Sequence, residues 1–161
     1  GLNDLTNGAT ADALYGAEVP TRDGSPWTPL YHAHDYDARV ARYLERIRAA
    51  AEAVRANGAR ALVALQPALF ERERLTPIER KLLEGSLVPH ASARALTDAY
   101  QRMRAGLREL ETRGLLRFVD CSRAFDGERH TTFADLWHFS DFGHRILAER
   151  LAGPVAELLE P

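Results

Sequence analysis

Asp135 and His138 stand three positions apart in Asp135-Leu136-Trp137-His138. On a tight turn that spacing lets the carboxylate orient the imidazole, fix its tautomer and stabilise its charged form while it removes a nucleophile's proton. Gly1-Leu2-Asn3-Asp4 opens the chain, and the two stretches together read as the back half of a hydrolytic active site. The nucleophile is missing from this reading. Ser25 lies in the Pro/Gly-rich stretch Asp23-Gly24-Ser25-Pro26, Ser86, Ser92, Ser122 and Ser140 have cap or turn contexts, and no Gly-x-Ser-x-Gly elbow is present.

A rival chemistry is written in His32-Ala33-His34-Asp35, with Asp37 close behind. Alternate residues of an extended segment can point two imidazoles the same way, and neutral imidazole nitrogen suits zinc. Further ligands at a recognisable spacing are absent, and Pro26-Trp27-Thr28-Pro29-Leu30 before the pair is no buried strand, so no metal is expected. Asp35 reads better as the N-cap of the helix that follows. His144 is expected to face solvent on the last helix.

These residues need a scaffold, and 161 residues with 45% hydrophobic content suffice for one domain with one core. The chain is read as a single domain over 1-161. Its 21 basic and 23 acidic residues are well mixed and the net charge is -2, so no broad basic face marks a nucleic-acid partner. Cys121 is the sole cysteine, which excludes an internal disulfide and a cysteine-rich zinc site and leaves the compartment open. The longest apolar stretch, Ala59 to Leu69, is interrupted and too short to span a bilayer.

Residues 5 to 36 hold six glycines and prolines with scattered aromatics and no period, as a long loop would. From Asp37, Val40, Leu44, Ile47, Ala51 and Val54 recur at helical spacing until Asn57-Gly58 supplies a stop. Ala61-Leu62-Val63-Ala64-Leu65 then reads as a strand buried on both faces of a parallel sheet. Thr76-Pro77-Ile78-Glu79 has capping-box spacing with proline at the first helical position, so a helix is expected from Pro77. A longer helix over 93 to 113 carries the stripe Leu96, Tyr100, Met103, Leu107 and Leu110, with Gly114 placed for a left-handed C-cap. Leu115 to Asp120 is the second strand, Asp126-Gly127 a turn, and the last helix starts near Ser140 or Asp141.

Helix, strand, helices, strand, loop and helix in that order predict an α/β class. Two strands alone would leave apolar edges exposed, so a strand leading into Gly1 is expected to complete the sheet. Ligands of open parallel sheets bind beyond the carboxyl ends of the strands, which is where Asn3, Gln66 and the loop holding His138 would project.

The two motifs carry a family resemblance. Gly1-Leu2-Asn3-Asp4 resembles the third conserved block of the SGNH hydrolases, the GDSL esterase/lipase superfamily, and Asp135-Leu136-Trp137-His138 resembles their fifth block. The run Phe139-Ser140-Asp141-Phe142-Gly143-His144-Arg145-Ile146-Leu147-Ala148-Glu149 is similar to the family's habit of following that histidine with a small polar cap, a glycine and a closing helix. The resemblance covers nearly the whole chain. It implies a three-layer α/β/α, flavodoxin-like fold whose parallel sheet is flanked by helices, with the first strands preceding Gly1.

By that resemblance His138 is general base and then acid, Asp135 holds it, and Asn3 offers its side-chain amide to the oxyanion. The family's Gly-Asp-Ser block with the nucleophilic serine, and its second block with an oxyanion-hole glycine, would both precede Gly1. The chain is accordingly read as the C-terminal part of an SGNH domain, inactive without that missing N-terminal segment. Trp27, Tyr31, His32 and His34, on the loop that follows Asn3, are expected to border the substrate cleft. The implied activity is cleavage of an acyl or acetyl ester of a small molecule, carbohydrate or lipid, without a cofactor. Acyl transfer by the same fold, and a catalytically silent SGNH-like binding module, are the alternatives.

Overall fold

The structure is a computed structural model that describes residues 36–85 and 90–160. Among them are four α-helices and two β-strands: α1 (Tyr36–Ala56), β1 (Leu62–Leu65), α2 (Pro77–Glu84), α3 (His90–Thr112), β2 (Arg117–Asp120) and α4 (Asp141–Leu159), with a 3-10 turn at Leu69–Glu71 after β1. This is a mixed α/β chain with a small parallel sheet. The described residues divide into two compact units, one of 36–47 with 90–105 and one of 48–85 with 106–160.

In the first unit Tyr36 and Val40 of α1 and Leu96, Ala99, Tyr100 and Met103 of α3 are buried, and Arg102 pairs with Asp37 at the surface. The stripe from Val40 to Val54 lies on the buried or half-buried face of α1, and the stripe from Leu96 to Leu110 is buried throughout. Both periodicities therefore report packing, not chemistry.

The second unit holds the sheet and the aspartate–histidine turn. Helix α1 ends with Gly58 at φ 73°, and the Ala59 N–H reaches back 3.1 Å to the Val54 carbonyl. Helix α3 ends the same way, with Gly114 at φ 68° and Leu115 N 3.1 Å from the Leu110 carbonyl. A residue without Cβ takes this left-handed cap at no steric cost, and the closing bonds satisfy carbonyls that the last helical turn leaves open. Each cap delivers the chain into a strand.

Strands β1 and β2 pair in parallel, Leu62 opposite Arg117 and Leu65 opposite Asp120. The expectation of a strand buried on both faces is met only at Leu65; Leu62, Val63 and Ala64 are half-buried. The second strand begins at Arg117 instead of Leu115, because the Leu115 amide is already used by the α3 cap.

Beyond β1 the chain turns through Gln66-Pro67 into the core of this unit. Leu69, Phe125 and Phe133 are buried there, flanked by Leu75, Leu82, Leu83, Leu136, Phe139, Ile146 and Leu147. Phe125, Phe133 and Phe139 meet edge to face in a closed triangle, with centroids 5.2 Å apart for Phe125–Phe133 and 5.5 Å for the other two pairs. Edge-to-face contacts fix ring orientation as well as burying area, each contributing about 0.5–1.5 kcal/mol beyond burial. No helix among the described residues is long and apolar enough to cross a membrane.

Candidate active site

The turn that bears His138 is built by short-range bonding. Phe133 and Phe139 form an antiparallel bridge, Ala134 N donates to the His138 carbonyl at 2.9 Å, and Ser140 N donates to the Thr132 carbonyl at 2.8 Å. Inside this bracket, Oδ1 of Asp135 accepts the main-chain N–H groups of Trp137 and His138, each at 2.8 Å. An aspartate that receives amides two and three residues ahead stabilises a tight turn without help from the core.

The other oxygen of the same carboxylate does different work. Oδ2 of Asp135 lies 2.7 Å from Nδ1 of His138. Burial raises the Asp135 pKa, but the N–H groups of Trp137 and His138 and the His138 ring outweigh it and hold the carboxyl below its ordinary value. An ionised carboxylate can only accept, so Nδ1 must carry the proton and the neutral ring keeps its lone pair on Nε2. With the His138 side chain 80% exposed, Nε2 is placed to take a proton from a group outside the turn.

Position in the fold comes from two contacts to the segment leaving β1. The Leu69 amide donates to the Leu136 carbonyl at 3.1 Å, and the rings of Phe70 and Trp137 meet edge to face at 5.1 Å. The expected location beyond the carboxyl end of β1 is therefore the observed one. Phe70 and Trp137, both half-buried, put aromatic surface beside His138. A cleft of about 490 Å³ between Arg55, Arg60, Glu111 and Arg117 lies at the amino ends of the strands and does not include the histidine.

The closing helix α4 locks the other side of the turn. Ser140 caps it, its hydroxyl accepting the Gly143 N–H at 3.3 Å. A methyl on Gly143 would stand 2.5 Å from the Thr132 carbonyl oxygen and 3.0 Å from the Phe139 Cβ, so the helix can approach the bracket only through a glycine. His144 faces solvent as expected, with Nδ1 donating to the Ser140 carbonyl at 3.1 Å.

Beneath the turn sits a buried ion pair that the sequence did not announce. Arg72 and Glu79 are in direct contact, with side chains 2% and 0% exposed. Glu79 was expected only as the third residue of a capping box, and that box is present: Thr76 N donates to Oε2 at 2.9 Å while the Thr76 hydroxyl accepts the Glu79 amide at 3.3 Å. Its second oxygen, Oε1, also receives the amides of Thr132 and Phe133 at 2.9 and 3.3 Å and the Thr132 hydroxyl at 3.1 Å. Burial raises the Glu79 pKa, but the Thr76 and Thr132 amides and the Arg72 charge prevail and leave it below the ordinary value. No local spacing marks this second use of Glu79, because its partners lie 53 and 54 positions away.

Of the residues picked out in the sequence, Asp135 and His138 are brought together. Asn3, Trp27, Tyr31, His32 and His34 lie outside the described residues. Among the described residues no three His, Cys, Asp or Glu side chains gather as a metal site would require. Cys121 is buried, its thiol pushed up by that burial. Ser122 is buried with its hydroxyl donating to Oδ1 of Asp120 at 2.6 Å, a local cap following β2.

No protein-family model, curated protein or solved structure matches the chain.

Proposed function

We propose that this chain carries the general base and its orienting acid for a serine ester hydrolase of the three-layer α/β/α, SGNH-like kind. The observation that bears most weight is the 2.7 Å contact between Asp135 Oδ2 and His138 Nδ1 on a turn fixed beyond the carboxyl end of β1. An ion pair this exposed adds little stability. Its geometry is that of a base kept in one tautomer and one orientation.

In this reading a serine from the segment ahead of Gly1 gives its hydroxyl proton to Nε2 of His138 as its Oγ attacks the acyl carbon. Asp135 stabilises the imidazolium, and the Asn3 side-chain amide donates to the oxyanion. The tetrahedral intermediate collapses, the alcohol leaves with the proton from His138, and water repeats the sequence to release the acid. An acceptor alcohol in place of water would make the same step an acyl transfer. The half-buried Phe70 and Trp137 favour an ester with apolar surface near its scissile bond.

The test is turnover of p-nitrophenyl acetate by the natural gene product that contains this chain, beside its His138→Ala variant. Loss of about a thousandfold or more in kcat/KM is expected. Equal activity in the two proteins would remove His138 from the chemistry and the reading with it.

A further inference from the structure

The carboxylate of Glu79 is a junction between α2 and the two stems of the histidine turn. On one side it belongs to the Thr76 cap of α2. On the other, Oε1 takes two consecutive amides, Thr132 and Phe133, so that a short stretch of main chain closes around one oxygen as in an anion-binding nest. Arg72 ties the same region from behind, its Nη1 donating to the Thr132 hydroxyl at 2.6 Å and its Nη2 to the Glu128 carbonyl at 2.6 Å. Thr76 and Thr131 add a hydroxyl contact at 3.0 Å.

What is held here is the base of the turn. Thr132 and Phe133 form the stem that enters it, and Phe133 bridges to Phe139 on the stem that leaves. The leaving stem is tied to the same residue, since both the amide and the hydroxyl of Ser140 donate to the Thr132 carbonyl, at 2.8 and 3.2 Å. A shift of Thr132 therefore moves both stems together, and with them Asp135 and His138.

We propose that Glu79 is a positioning residue for His138: its buried carboxylate, neutralised by Arg72, sets where the Asp135–His138 turn stands. A carboxylate saturated by donors from two elements fixes each to within a hydrogen-bond length. An amide in its place keeps the shape but cannot serve both sides, because its NH2 group would face the Thr76 amide in one orientation and the Thr132 and Phe133 amides in the other, and it leaves Arg72 without a countercharge. This inference rests on the hydrolase reading for its catalytic consequence and on the hydrogen-bond geometry for its structural one.

The experiment compares the natural gene product with its Glu79→Gln, Glu79→Asp and His138→Ala variants by p-nitrophenyl acetate kinetics. The proton on His138 Nδ1 is followed in parallel by NMR. Glu79→Gln is expected to lower kcat by about 10- to 100-fold with KM changed less than about twofold, since a displacement near 1 Å suffices for such a loss. It should also broaden or shift the Nδ1 proton signal. Glu79→Asp, which keeps the charge, should recover part of both. A folded Glu79→Gln protein with wild-type kcat and an unmoved Nδ1 proton overturns the proposal. If the glutamine variant does not fold, the aspartate variant is judged by the same two readouts. Unchanged activity in His138→Ala would defeat the hydrolase reading instead, and the Nδ1 signal of the Glu79 variants would then decide positioning by itself.

Discussion

Asp135 holds His138 twice: Oδ1 accepts the residue's main-chain N–H at 2.8 Å, and Oδ2 faces its ring Nδ1 at 2.7 Å. One oxygen shapes the turn and the other selects the tautomer, so the two tasks can be separated by chemistry. In Asp135→Asn the carbonyl oxygen can still receive the two amides, while the NH2 group meets Nδ1 and forces the proton onto Nε2. Under the proposed hydrolase mechanism His138 is then in the wrong tautomer to act as base. We expect kcat to fall by about 10²- to 10⁴-fold. Stability should change by less than about 1 kcal/mol, because both side chains are more than half exposed. Steady-state kinetics with urea unfolding checks this, and a variant that lost stability but kept kcat would show the pair to be structural.

Acid should act in part through Glu79, the buried one of the two carboxyls held low among the described residues. Its carboxyl is held below the ordinary value in the folded state, so the unfolded chain binds the proton more readily. The contribution to stability is therefore complete above the ordinary glutamate range, about pH 4.3, and is lost as pH falls from there toward the lower folded value. Urea midpoints measured from pH 7 to pH 3 should fall across that window. The fall should be shallower in Glu79→Gln, which has no proton to take up at this site. Identical slopes in the two proteins would assign the acid sensitivity elsewhere.

The sequence foretold much of what depends on near neighbours, though not that the Leu115 amide would go to the α3 cap and delay β2 to Arg117. Helix faces follow from the recurrence of Val40, Leu44, Ile47, Ala51 and Val54, and the stops at Gly58 and Gly114 follow from what only glycine does cheaply. The Asp135–His138 contact was legible for the same reason, since its partners are three positions apart. The 3-10 turn at Leu69–Glu71 was not, as its amide bond to Leu136 depends on a loop far along the chain. Glu79 shows the limit most plainly. Its capping partner stands three residues away and was expected, while the loop it anchors stands more than fifty away and has no periodic signature. Nor does anything near Arg72 announce that this arginine, unlike its exposed neighbour Arg74, is buried.

Two glycines should respond to alanine for different reasons, and the difference tests how α4 is seated. At Gly114 a Cβ meets nothing within 4 Å, and the cost is the positive φ of 68° alone. About 1–2 kcal/mol of stability should be lost there, with no effect on the turn. At Gly143 the backbone is ordinary helix and the obstacle is contact: the methyl would stand 2.5 Å from the Thr132 carbonyl oxygen and 3.3 Å from the Phe125 ring. Neither neighbour can yield easily, for Thr132 is tied to Glu79 and Phe125 sits in the aromatic triangle. Gly143→Ala must push α4 away from the bracket that holds His138, losing about 1–3 kcal/mol or more. Unlike Gly114→Ala, it should also depress kcat in the fraction that stays folded. Urea unfolding and kinetics on both variants check the contrast, and equal kcat in the two would mean that α4 can move without disturbing the histidine.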